Sequence, residues 1–170
     1  ALGRYGVTEQ QVASMKPWAA MMTLSVPPPR SGLFMDFSLS LRAAGRGLRV
    51  EGLETLEEQL SFLEELPLDR QLELLDHAVA ESGRVGEVHR QMVDSYLQGS
   101  LAELERQALA QMEDLEPATR DYFFDRGVTL RNRLMAERAV ALLDRESVLV
   151  AVGALHLPGP EGLIALLREA

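Results

Sequence analysis

The stretch from Val148 to Gly162, VLVAVGALHLPGPEG, constrains this chain more than any other. Its β-branched apolar run predicts a short buried strand ending at Gly153, and the Gly/Pro cluster behind it predicts a tight loop. His156 then falls just past the carboxyl end of that strand. In open α/β sheets this is the edge where ligands bind, because loops converge there on a rigid support. A neutral imidazole at such an edge can ligate a metal ion or exchange a proton near neutral pH. A lone histidine after a strand also serves as a purely structural residue, so the rest of the chain has to decide its role.

The 170 residues, 46% of them hydrophobic, suit a single domain with a core of useful size. A formal charge of -9 argues against nucleic acid as a partner, because phosphate binding draws on clustered Lys and Arg, and Lys16 is the sole lysine. With no cysteine there is neither a disulfide framework nor a thiolate site, so any metal would have to be held by His, Asp or Glu. No apolar run approaches the roughly 18 residues of a membrane span. The abrupt start at Ala1 and the end at Ala170 inside an element read as a piece of a longer domain.

Thr8 is placed to cap a short helix through Gln11 to Met15, and Pro17 closes it. Met21 to Val26 reads as a strand stopped by Pro27-Pro28-Pro29, Phe34 to Ala44 as a helix, and Leu48 to Leu53 as a second strand. From Thr55 the period turns helical. Thr55 with Glu58 forms a capping box, and Leu56, Leu60 and Leu63 give one apolar stripe. Further helices are predicted from Pro67 to Ser82, from Val85 to Gly99, from Ser100 to about Gln111, after Glu116-Pro117, over 129–144, and from Pro158 to Arg168. Two strands about a hundred residues apart with only helices between them predict a helix-dominated α/β fold. Its small parallel or mixed sheet carries a helical insertion over about 55–145.

If those strands run parallel, Glu54 at the end of the second stands on the same sheet edge as His156. A carboxylate and an imidazole meeting there are the minimum for a metal site or for acid–base work. Glu57 and Glu58 have an ordinary role as solvated first-turn acids. Arg131, beside Asn132 near the start of the long helix, has the chemistry to fix a carboxylate or polarise a carbonyl oxygen. His77 and His89 read as helix residues without a site role, although Gly86 to His89 also has the form G-x-x-H. No phosphate-binding glycine loop, HExxH pair or G-x-S-x-G elbow occurs.

Taken together, Arg131-Asn132 with Met135, and Val152 to Leu163 with Leu166-Leu167, resemble the carboxyl-terminal signature of the TraB/PrgY/GumN family, to which the Tiki proteins are related. Lys16-Pro17-Trp18, Asp36, Gly52 to Thr55 with Glu58-Gln59, and Tyr96 with Gly99 match the same pattern in order. The resemblance implies a parallel sheet wrapped by helices, as in the haem-binding ChaN and erythromycin-esterase-like proteins, with one partial domain over 1–170. It implies a metal-dependent hydrolase, peptidase-like as Tiki relatives are regarded, whose site joins two G-x-x-H motifs, a glutamate and an arginine. Carried over, Gly153 and His156 form the second motif, with Gly153 as a cofactor-binding position. Arg131 is the arginine, and Glu54 and His156 are the ligands of a divalent metal ion.

The first motif and its amino-terminal strands are expected upstream of Ala1, so the piece in hand is expected to be inactive and, with an uncovered sheet, to form homo-oligomers. Bacterial members of the family imply a periplasmic or envelope location. The alternatives to a hydrolase are a module that binds a peptide, a small molecule or a haem-like ligand without turnover, and a helical scaffold with a structural histidine.

Overall fold

The computed structural model describes residues 1–29, 34–145 and 147–170. Among the described residues the chain is all-helical, with no strand. A 3-10 turn at Leu2–Tyr5 leads into α1 (Glu9–Ser14) and α2 (Pro17–Leu24), and α3 spans Met35–Ala44. Then come α4 (Leu56–Glu64), α5 (Leu68–Glu81), α6 (Val85–Leu97) and α7 (Leu101–Ala110). α8 (Pro117–Phe124) runs through a π-helical turn, Asp125–Thr129, directly into α9 (Leu130–Leu143). A 3-10 turn at Ala154–His156 precedes α10 (Leu163–Glu169).

Local chemistry explains where the helices begin. Thr8 with Gln11 and Thr55 with Glu58 form complete capping boxes, each closing two backbone N–H groups that a helix start leaves open. Pro17 and Pro117 occupy first-turn positions, where the missing N–H costs nothing. Side chains then set the packing. Met21, Leu24, Phe62, Leu63, Leu66, Leu74, Ala78 and Leu115 form one core between α2, α4 and α5, closed by Trp18, Tyr122 and Phe123. Glu73 on α5 accepts from the Glu116 N–H at 2.7 Å and from the Thr119 hydroxyl at 2.6 Å, which ties the start of α8 to that core. A second, smaller core joins Met135 and Ala136 of α9 to Leu163 of α10, and Leu53, Val152, Leu166 and Leu167 pack against it.

The expected sheet is absent among the described residues, and with it the α/β class and the notion of an insertion into a sheet. Met21 to Leu24 belongs to α2, because Pro17 starts a helix whose inward positions are Ala20, Met21 and Leu24. A short apolar run cannot by itself distinguish a strand from a buried helix segment. Leu48 to Leu53 has no regular structure: Leu48 and Val50 are exposed and only Leu53 packs inward. The run 148–152 is likewise irregular, with Leu149 84% exposed and Val152 seated on the second core. β-branched residues favour a pleated, half-buried surface, and that surface exists only where a neighbouring strand completes the ladder. The last helix starts at Leu163 rather than at Pro158. None of the described helices is long and apolar enough to cross a membrane.

Candidate functional site

α9 is the element on which the site is assembled. Asn132, Met135, Ala136 and Ala139 are its buried positions, an i, i+3, i+4, i+7 stripe facing α10 and the irregular segments. Arg131 and Arg138, seven residues apart, flank one edge of this stripe two turns from each other.

Arg131 makes a two-pronged ion pair with Glu54: Nε donates to Oε1 and Nη2 to Oε2, both at 2.7 Å. The side chains are 16% and 8% exposed, so the pair is largely withdrawn from water. Nη1 of Arg131 donates to the Gly127 carbonyl at 3.0 Å, a contact across the π-helical turn. The guanidinium also lies 6.0 Å from the centre of the Phe62 ring. Gly127 lets that ring approach, since a Cβ there would stand 3.0 Å from Phe62 Cε2. The pair borders a cleft of about 140 Å³ walled by Phe62, Leu130 and Leu134 and rimmed by Glu58, Glu65 and Arg126; His156 is not among its walls.

His156 reaches the same helix through the next residue. The Asn132 amide, 2% exposed, donates from Nδ2 to the Glu161 carbonyl at 2.7 Å, which turns its Oδ1 toward His156 Nδ1 at 2.6 Å. A carbonyl oxygen only accepts, so Nδ1 carries the hydrogen and Nε2 keeps its lone pair. Burial, and next the positive charge of Arg131, push the imidazole below its ordinary value of 6.5, against the pull of Glu54. The ring is therefore neutral at pH 7, with Nε2 as its basic atom. Gly153 starts the turn that carries it: the His156 N–H donates to the Gly153 carbonyl at 2.9 Å, and a Cβ on Gly153 would make ordinary contact with the ring at 3.6 Å.

Glu54 and His156 are thus each bound by a residue of α9, and no sheet edge joins them among the described residues. Arg131 holds Glu54, its neighbour Asn132 holds His156, and the charges of both ion-pair members act on the imidazole. His89 is exposed on α6, and His77 Nε2 lies 2.8 Å from the Gln111 carbonyl, a link between α5 and the end of α7. Sequence reasoning missed Asn132 as the residue that orients the imidazole, and it missed Arg138. The available signal was the 131, 132, 135, 138 spacing, which puts two arginines and an asparagine beside an apolar stripe.

Glu58, expected to be a solvated acid, is bound instead. Arg138 donates to its two oxygens at 2.8 and 2.6 Å, and Oε2 also accepts the Thr55 N–H at 2.8 Å. The Arg138 hydrogen bonds first, and the Thr55 N–H second, hold its carboxyl at about 2 against an ordinary 4.5. The folded value is the lower one, so the stabilisation is complete above pH 4.5 and is lost as pH falls toward about 2. Glu58→Gln is expected to flatten the acid limb of stability in that window, measured as urea midpoint against pH.

The residues present do not by themselves make a divalent-metal site. Among the described residues no group of three or more His, Asp or Glu side chains is placed to hold a metal ion. Nε2 of His156 is one ligand atom, while both oxygens of Glu54 are taken by a guanidinium whose charge opposes a second cation.

α9 thus holds an imidazole through its Asn132 amide and a buried carboxylate through Arg131. The chain matches the model of the TraB/PrgY/gumN family over residues 1–170, and it belongs to that family. No curated protein and no solved structure matches it.

Proposed function

We propose that Glu54, Arg131, Asn132 and His156 form the acid–base site of a hydrolase that acts on peptide-like carbonyl groups. The observation that carries this reading is the fixed tautomer of His156: a neutral ring whose free Nε2 is set by the Asn132 amide. A base held neutral at working pH can take a proton from an attacking water and return it to a leaving amine. Arg131 keeps two N–H groups beyond the three bonded to Glu54 and Gly127, and these are suited to a developing oxyanion. Glu54 serves here by holding that guanidinium in place.

The test is cleavage of a peptide library by the full chain, with and without added divalent ions. His156→Ala is expected to lower the rate by about 100-fold or more, the usual worth of a positioned general base. Asn132→Leu, which frees the tautomer, is expected to lower kcat with little change in KM. The rate should fall on the acid side only below pH 6.5, as the imidazole gains its proton. Peptide binding without cleavage under any ion would support the non-catalytic module instead, and an unchanged rate in His156→Ala would remove the mechanism.

A further inference from the structure

We infer that Arg138 is a positioning residue that sets where Glu54 stands, acting through the backbone on both sides of it. The inference rests on the reading of Glu54 and Arg131 as one site. Arg138 Nη1 donates to the Leu53 carbonyl at 2.6 Å and to Glu58 Oε2 at 2.8 Å, while Nη2 donates to Glu58 Oε1 at 2.6 Å. Glu58 Oε2 in turn accepts the Thr55 N–H, and Thr55 Oγ1 accepts the Glu58 N–H at 3.1 Å. The residues before and after Glu54 are therefore both tied to one guanidinium, and only the Glu54 side chain is left to reach Arg131.

Residues 48–53 have no helix or strand to hold them. Leu53 packs on the second core, but packing is not directional and leaves the peptide free to rotate. The Arg138 fork supplies the missing directional constraint, because a planar guanidinium engages a carboxylate and a carbonyl in fixed geometry. Both anchors of the Glu54 segment, and the Asn132 that anchors His156, thus lie on α9. A lysine at 138 would keep the charge and lose the fork.

An ordinary surface ion pair at 40% and 37% exposure would contribute little and position nothing. The two accounts differ in what happens at Arg131. In the full chain, the Nε–H of Arg131 is followed by NMR as an exchange-protected resonance bonded to Glu54, in wild type, Arg138→Met, Arg138→Lys and Glu54→Ala. Arg138→Met keeps the aliphatic stem, so packing survives.

The expected result is exchange of the Arg131 Nε–H faster by about tenfold or more in both Arg138 variants, as the pair opens more often. The helical circular dichroism should stay that of the wild type. Unchanged protection in Arg138→Met, with protection lost in Glu54→Ala, overturns the positioning role and leaves the ion pair standing. Unchanged protection in Glu54→Ala, which has no acceptor to offer, shows that the pair itself is absent, and the reading of the site falls along with Arg138's part in it.

Discussion

Glu54→Ala is expected to destabilise the fold by about 3–5 kcal/mol, the penalty for leaving one member of a buried ion pair alone. The figure follows from the withdrawal of both side chains from water, at 16% and 8% exposure, which makes an unpaired guanidinium costly. Arg131 has one other acceptor, the Gly127 carbonyl, and the Phe62 ring lies 6.0 Å away, so its charge has little else to pair with. Lys16 and Glu64 provide the comparison, since that pair is 60% and 43% exposed. Its removal by Glu64→Ala should cost far less, because solvent screens an exposed pair. Urea denaturation of both variants checks the contrast, and equal losses would show that the Glu54–Arg131 pair is wet. Glu54→Gln should fall between the two, because an amide oxygen still accepts one of the bonds.

Gly162→Ala should be comparably damaging for a different reason. A Cβ at this position would lie 2.1 Å from the Pro158 carbonyl oxygen and 2.3 Å from that of Leu157. The backbone here is ordinary for any residue, with φ -80° and ψ 153°, so the demand for glycine is purely one of space. The obstacles are main-chain oxygens with no rotamer to retreat into, so the loop 157–162 must move as a whole. A loss of about 3 kcal/mol is expected, at the upper end of overpacking costs. The neighbouring Glu161 carbonyl would move too, and with it the bond that orients Asn132 toward His156. Gly83→Ala is the control: its Cβ would meet nothing within 4 Å, so its melting temperature should stay close to wild type.

What the sequence made legible was local chemistry. Thr8 and Thr55 announce their helices because a hydroxyl three residues before Gln or Glu closes backbone groups whatever the tertiary setting. The periodicity from Thr55 onward survives because a stripe of leucines needs only some apolar neighbour. Strand formation is a different matter. Val148, Val150 and Val152 satisfy the pattern, yet a ladder is a property of two segments, and no run of residues contains its own partner. Glu54, Arg131 and His156 could be singled out because their residue types are few and their motifs distinctive. The parts played by Asn132 and Arg138 were legible only as a spacing beside the apolar stripe, because a polar side chain on a helix looks solvated until the neighbour that buries it is known. The π-helical turn at Asp125–Thr129 was equally silent, since DRGVT carries no signal that separates it from ordinary helix.

The gathering of Arg131, Asn132 and Arg138 on one helix limits how this lineage can vary. Each added or deleted residue between Asn132 and Arg138 would turn everything downstream by about 100° about the axis, aiming one anchor away from its target. Substitution by substitution the helix can drift, but its length is locked. Tolerated insertions belong in turns that touch neither anchor nor the core, such as 98–100 between α6 and α7.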